Sequence, residues 1–281
     1  MGSRGADQLR KFYAELVTAG SGAARSRLKS AFELVPREHF LGPGPWKVFA
    51  GSGYIETPSN DLAFVYQDIV IAISPSKSLN NGLPSLHARC LAALAPREGE
   101  NALHIGAGTG YYSAMLAELV GATGSVQAME IDKDLARAAK QNLKARTNVF
   151  VCRRSGAKSP LPLSDIIYVN AGSTAPLRVW LDALRPRGRL VFPLTPGSGR
   201  GAMLRVTRRP GGLAADFVCD AFFIPCVGAQ VAIEKRRLTR AYAEGGMRDV
   251  RQLCLDCPPD DTCWMRGSGW WLSTRQVQPA V

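Results

Sequence analysis

Apolar residues fall at helical spacing at the start of the chain: Leu9, Phe12, Tyr13 and Leu16 before Gly20, then Leu28, Ala31, Phe32 and Leu34 before Pro36. This periodicity predicts two amphipathic helices. A Gly/Pro-rich loop follows at 41–46, then an apolar run, VYQDIVIAI (65–73), that reads as a strand, and HARCLAALA from His87, that reads as a helix. From Asn101 the pattern changes to short apolar runs: NALHI, SVQAMEI, NVFVC, SDIIYVN, GRLVFPL, AMLRVT and DFVCDAFF. Helical stretches separate the earlier ones, at 111–119, 133–144 and 175–184. Strands alternating with helices predict an α/β fold, a Rossmann-like doubly wound sheet that is mostly parallel. The last strands have no helices between them, so the far edge should be antiparallel. Beyond Gly228 the chain reads as a charged helix (230–244), a short second helix (245–255) and a tail rich in Cys and Trp. Three regions are expected: 1–98 with N-terminal helices and a substrate loop, a nucleotide-binding domain at 99–228, and a C-terminal extension at 229–281.

Composition narrows the class only slightly. Hydrophobic residues make up 46% and charged residues 21% of the 281, ordinary values for a globular protein. No apolar run is long enough to cross a membrane and the N-terminus lacks a signal-peptide pattern, so a cytoplasmic protein is expected. Seven scattered cysteines suit a reducing compartment better than a disulfide framework. The formal net charge of +12 raises the question of acidic partners. Eight arginines stand between Arg178 and Arg209, but only Trp180 and Phe192 accompany them, and the stretch alternates with strand-like runs. That is a solvated face rather than a nucleic-acid footprint.

The chemistry is concentrated in LHIGAGTGYY, Leu103 to Tyr112, and in SVQAMEID, which ends at Asp132. An apolar strand runs into Gly106, Ala107, Gly108, Thr109 and Gly110, a helix opens at Tyr111, and Glu130 closes the next strand 20 residues after Gly110. Glycines let the backbone approach a ligand, and the distal carboxylate accepts from ribose hydroxyls. A dinucleotide fingerprint places its third glycine or alanine where Tyr111 stands, which argues against a nicotinamide oxidoreductase. The form G-x-G-x-G resembles motif I of class I S-adenosylmethionine-dependent methyltransferases, whose ligand carries no phosphate.

VPREHF (35–40), NGLPSLHA (81–88), the glycine loop, DIIYVNAG (165–172) and a proline-containing strand, GRLVFPL, occur in that order. Together they resemble the protein L-isoaspartyl O-methyltransferase family over residues 9 to 228. The resemblance implies a class I methyltransferase domain, S-adenosyl-L-methionine as cofactor, and transfer of methyl to a carboxylate. It also implies cofactor contacts from Gly106 to Tyr111, from Glu130 and Ile131, and from Ser155-Gly156. Three positions depart from the family pattern. Gly82 stands where the family has a hydroxyl, His104 where it has an acid, and Ser155 where it has Asp. These departures predict a divergent member whose peptide or small-molecule acceptor differs from that of general isoaspartyl repair.

Methyl transfer from a sulfonium needs alignment more than a metal, and no metal is expected. A carboxylate acceptor is already ionised, whereas a hydroxyl or amine acceptor needs a base. Candidates for acceptor binding are Asp68, Asn80, Asn81, Gly82 and Ser85, with Asn81 and His87 as candidates for catalysis. Asn170 ends a strand at the carboxyl edge where ligands bind in open sheets, and is assigned to the cofactor. His104 reads as a buried core histidine. Cys254-x-x-Cys257 and Cys263 are too few for a structural zinc site without help from elsewhere. Trp264, Trp270 and Trp271 are expected to pin the tail. Two alternatives stay open: a hydroxyl or amine acceptor, and a module that binds the cofactor without catalysis.

Overall fold

A computed structural model describes residues 3–197 and 200–278. In chain order the elements are α1 (Ser3–Thr18), α2 (Arg25–Leu34), β1 (Lys47–Phe49), β2 (Tyr54–Glu56), β3 (Ala72–Ser74), β4 (Leu79–Asn80), α3 (Pro84–Leu94) and β5 (Asn101–Ile105). They continue with α4 (Tyr111–Val120), β6 (Ser125–Glu130), α5 (Lys133–Asn142), β7 (Val149–Arg153), β8 (Ser164–Val169), α6 (Arg178–Asp182), β9 (Leu184–Leu194), β10 (Gly201–Arg209) and β11 (Gly212–Ala221). The last are α7 (Ala232–Glu244), β12 (Gln252–Leu255), β13 (Cys263–Arg266) and β14 (Trp270–Ser273). The chain is the mixed α/β protein that the alternation predicts. It divides into two compact units. One holds the residues up to Glu100 with Ala107–Arg154, and the other holds Asn101–Gly106 with the chain from Ser155 onward.

In the first unit, α1 and α2 bury Tyr13, Leu28 and Phe32, while Phe12, Leu16 and Leu34 of the same amphipathic runs face outward. Tyr111 joins this cluster, its ring 5.5 Å from Phe40 and 5.0 Å from Tyr112. Burying aromatic rings in edge and tilted contacts gives such a helical layer its main stabilisation. Strands β6 and β7 pair in parallel, and α5 crosses between them with Asp132 as its N-cap, accepting from the amides of Asp134 and Leu135.

The predicted strand at 65–73 does not form. Only Ala72–Ser74 forms a strand, paired with β4, and Ile71 before it makes an isolated bridge to Val48 of β1. The reason is Arg37, which is fully buried and donates to the carbonyls of Val65 (2.6 Å), Gln67 (2.9 Å) and Ile69 (2.6 Å). A guanidinium that satisfies alternate carbonyls replaces the neighbouring strand. Asp68 therefore lies in an irregular segment and not on a strand. The predicted helix from His87 begins earlier, with Pro84 in its first turn, where a missing N–H costs nothing.

In the second unit the strands follow the order β13-β14-β12-β11-β10-β9-β8-β5. The β5–β8 and β8–β9 pairs are parallel, and every later pair is antiparallel, as expected for strands without intervening helices. The helix expected at 175–184 is shorter because Leu184 is drawn into β9 by pairing opposite Ser164 of β8. The second helix expected at 245–255 is replaced by a short 3-10 turn and β12. Leu253 is buried between Leu213 of β11 and Leu272 of β14, and pairing on both sides outweighs local helical preference.

The tail pins itself through its tryptophans. Trp264 sits 5.3 Å from Phe217 and 5.6 Å from Tyr242, and its indole N–H donates to the Gly245 carbonyl. Trp270 and Trp271 are buried. At Gly267 a Cβ would fall 2.1 Å from the Trp270 indole, so only glycine admits that ring. Among the described residues no group of Cys, His, Asp or Glu has metal-site geometry, and no helix is long and apolar enough to cross a membrane.

Candidate active site

The glycine loop follows from its backbone. Gly106, Gly108 and Gly110 all have positive φ (75°, 57° and 100°), the region that costs glycine least. Space is tight as well. A Cβ on Gly110, the N-cap of α4, would lie 2.7 Å from Leu143, and one on Gly108 would lie 3.1 Å from Ile73. The Ala107 amide donates to Met129, and Thr109 is fastened on both sides: its hydroxyl donates to the Phe40 carbonyl and its own carbonyl accepts from Asn142.

Glu130, at the end of β6, is 6% exposed. One carboxylate oxygen accepts from the Gly108 amide (2.7 Å) and the other from the Asp132 amide (2.9 Å). Burial raises its pKa above the ordinary carboxyl range, and the amides of Asp132, Gly108 and Ile131 pull it back in part. Beside it Ile131 is 48% exposed, an apolar side chain left in water next to an oriented carboxylate. Tyr111 contributes no such surface. Its side chain is buried and its hydroxyl meets that of Tyr13 at 3.4 Å.

The segment from Asp68 to His87, also in the first unit, is built around buried polar groups. The Asn81 amide donates to the Ile71 carbonyl, and its Oδ1 accepts from the Ile71 amide (3.0 Å) and Arg37 (3.4 Å). Its Nδ2 is buried without a hydrogen-bond partner among the described residues. Asn80 closes a turn by accepting from the Gly82 amide (2.9 Å), with its own Nδ2 on the Tyr54 hydroxyl (3.1 Å). Asp68 accepts from the Ser85 amide (2.8 Å) in the first turn of α3, where the helix dipole favours an anion. His87 is 2% exposed and stacks on Tyr112 at 3.7 Å. Gly82 has φ 69°, and a Cβ there would fall 2.1 Å from His87 Nε2. The imidazole thus occupies the space in which a side chain at 82 would begin.

In the second unit, Asn170 directly follows β8. Its amide N–H donates to the Ile105 carbonyl, and its side-chain Nδ2 lies 2.8 Å from His104 Nε2. His104 is fully buried, stacked on Tyr168, and burial depresses its pKa to about 3. The ring is therefore neutral, with Nε2 accepting from Asn170. Asn170 Oδ1 is left buried without a hydrogen-bond partner among the described residues. The backbone of Asn170 also lies so near Gly106 that a Cβ there would meet it at 3.3 Å. Gly156 has no room for a side chain, since a Cβ would be 2.4 Å from Ile105, and its carbonyl accepts from Trp180. The Ser155 hydroxyl accepts from the Ala157 amide, closing a turn.

Residues 15–231 match the model of the protein-L-isoaspartate(D-aspartate) O-methyltransferase family. The chain belongs to that family. It is thereby an S-adenosylmethionine-dependent methyltransferase with a Rossmann-like fold, as its motifs imply. The protein-L-isoaspartate O-methyltransferase of Roseiflexus sp. is 31% identical over 222 residues, which cover 76% of this chain and 90% of that one. The enzyme of that name from Ignicoccus hospitalis is 27% identical over 207 residues, 72% of this chain and 90% of its own. Among solved structures, a protein-L-isoaspartate O-methyltransferase has a TM-score of 0.66 at 23% identity, over 88% of this chain and 73% of its own. A putative one from Plasmodium falciparum, in complex with S-adenosyl-L-homocysteine, has a TM-score of 0.60 at 19% identity, over 78% of this chain and 98% of its own. Both structures share the fold.

One residue escaped the sequence reading. Arg37 lies inside VPREHF, but nothing in a single Arg signals that it is buried and organises the segment carrying Asp68.

Proposed function

We propose that this family member transfers the methyl group of S-adenosylmethionine to the carboxylate of an isoaspartyl residue in a peptide. Glu130 carries the reading: a buried carboxylate, fixed by the Gly108 and Asp132 amides beside the exposed Ile131, is suited to a ribose diol with an adenine alongside. In the second unit, the buried Oδ1 of Asn170, without a partner among the described residues, is an acceptor suited to a polar ligand. In this reading Ala107, Thr109 and Gly110 line the same ligand through the backbone.

When bound, the cofactor supplies an electrophilic methyl on a sulfonium. A carboxylate oxygen forms the new O–CH3 bond as the S–CH3 bond breaks, leaving a neutral thioether and a methyl ester. The acceptor is ionised at neutral pH, so the chain has only to orient it, exclude water and hold it in line. This suits a site whose candidate base, His87, is buried against Tyr112. A hydroxyl or amine acceptor would need that imidazole exposed to take a proton.

The expectation that Gly82 marks a different acceptor finds no support among the relatives, which carry the name protein-L-isoaspartate O-methyltransferase. Gly82 has a local cause in His87. Methylation of an isoaspartyl peptide, scored as base-labile methanol, tests the proposal. Label on the isoaspartyl peptide and none on its aspartyl counterpart is the expected result, and label on neither would overturn it. Glu130→Gln should weaken S-adenosylhomocysteine binding about tenfold or more, the scale of a hydrogen bond to a charged group. In the parent protein the same affinity should fall on acidification at a pH above that of an ordinary Glu, because burial favours the protonated carboxyl.

A further inference from the structure

One face of α5 carries Lys133, Arg137 and Lys140, spaced at i, i+4 and i+7, and Arg153 at the end of β7 stands beside them. With Asp134 and Ala136 these residues line a single cavity of about 390 Å³. Four cations thus converge on one hollow with one acid, and that acid is already engaged: Asp134 pairs with Arg137 and, at 3.4 Å, with Lys77. Lys133, Lys140 and Arg153 have no ion pair among the described residues. Like charges gathered without partners repel one another, and an anion that enters relieves this repulsion.

We propose that this groove holds the acidic side chains of the peptide substrate, which makes the enzyme selective for isoaspartyl residues flanked by Asp or Glu. The proposal rests on the methyltransferase reading above. Three observations favour a peptide. First, the groove adjoins the acceptor segment: Lys77, shortly before Asn80 and Asn81, reaches Asp132 at 2.5 Å and Asp134, which lines the groove, at 3.4 Å. Second, β7 ends the strand order, so an extended chain has an edge to run along. Third, Lys133 to Lys140 spans about 10 Å along the helix, the reach of three or four extended residues. A nucleic acid would need a longer stripe and aromatic platforms, and no aromatic residue lines the cavity.

The test uses the full chain and two isoaspartyl peptides that differ only in flanking Glu or Gln. The acidic peptide should show a KM about tenfold lower, and the gap should narrow as added salt screens the exposed charges. In the Arg137→Gln/Lys140→Gln variant the two KM values should converge, with the neutral peptide and the melting temperature unchanged. Equal KM values in the parent protein would overturn the proposal, as would a preference that survives in the variant. Tighter binding of a single-stranded oligonucleotide than of the acidic peptide would also overturn it. If neither peptide is methylated, the isoaspartyl reading falls separately. Fluorescence anisotropy of the labelled acidic peptide then decides the groove: saturable binding lost in the variant upholds it, and no binding overturns it.

Discussion

Position 82 shows how a single residue's meaning depends on what lies behind it. In the sequence, Asn81-Gly82 is an ordinary turn signal, and the missing hydroxyl looks like a change of substrate. In the fold, Gly82 is held at φ 69° with the His87 ring where its Cβ would be. Putting the family's hydroxyl back therefore requires both a strained backbone and a displaced imidazole. Gly82→Ser should destabilise the protein by about 1 kcal/mol from the left-handed backbone alone, and by 2 kcal/mol or more once the overlap is added. Gly82→Ser combined with His87→Ala should recover part of the loss. Urea unfolding of the parent protein and these two variants checks this, and a neutral single Gly82→Ser would refute it. Asn81 carries the same lesson. Its Oδ1 is spent on Ile71 and Arg37, while its Nδ2, the donor a carboxylate would need, has no partner among the described residues.

At the scale of elements, regular periodicity was legible and irregular polar architecture was not. The helices α1, α4 and α5 and the strands β5, β6 and β8 stand within a few residues of where the apolar spacing places them. VYQDIVIAI carries just as strong a strand pattern, yet residues 65–69 find a guanidinium where a neighbouring strand would be. Arg37→Met should leave three carbonyls without their donor and cost about 3 kcal/mol. Arg37→Lys should rescue little, because one ammonium cannot span carbonyls that a planar fork reaches together. Hydrogen exchange should show faster opening at the Ser85 amide, which Asp68 of this segment caps. Unchanged stability in Arg37→Met would remove Arg37 from its organising role.

For the molecule as a whole, His104 couples stability to pH. Its folded pKa of about 3 lies far below the ordinary imidazole value of about 6.5. The unfolded chain therefore takes up the proton first as pH falls. The contribution is complete above about pH 6.5 and is lost steadily from there down to about pH 3, at up to about 1.4 kcal/mol per unit. About 2 kcal/mol should be gone by pH 5. Glu130 has the opposite sign, since its raised pKa means that protonation favours the folded state, but it is shared by any pair that differs only at residue 104. Urea midpoints at pH 7.5 and 5 should differ more in the parent protein than in His104→Gln. Equal slopes would mean that the imidazole carries no such coupling.

The sequence by itself determined the family, the cofactor class and the order of strands and helices around the glycine loop. These depend on local signals, namely glycines at positive φ, an acid at a strand end and apolar periodicity, and such signals survive in one dimension. Only the tertiary structure decided that Arg37 replaces a strand, that His87 forbids a side chain at Gly82, and that the C-terminal segment continues the strand array as β12, β13 and β14. It also decided that four cations from α5 and β7 line one groove. Each of those outcomes rests on groups distant in sequence meeting in a confined space, where buried polar atoms must find partners and overlapping atoms must give way.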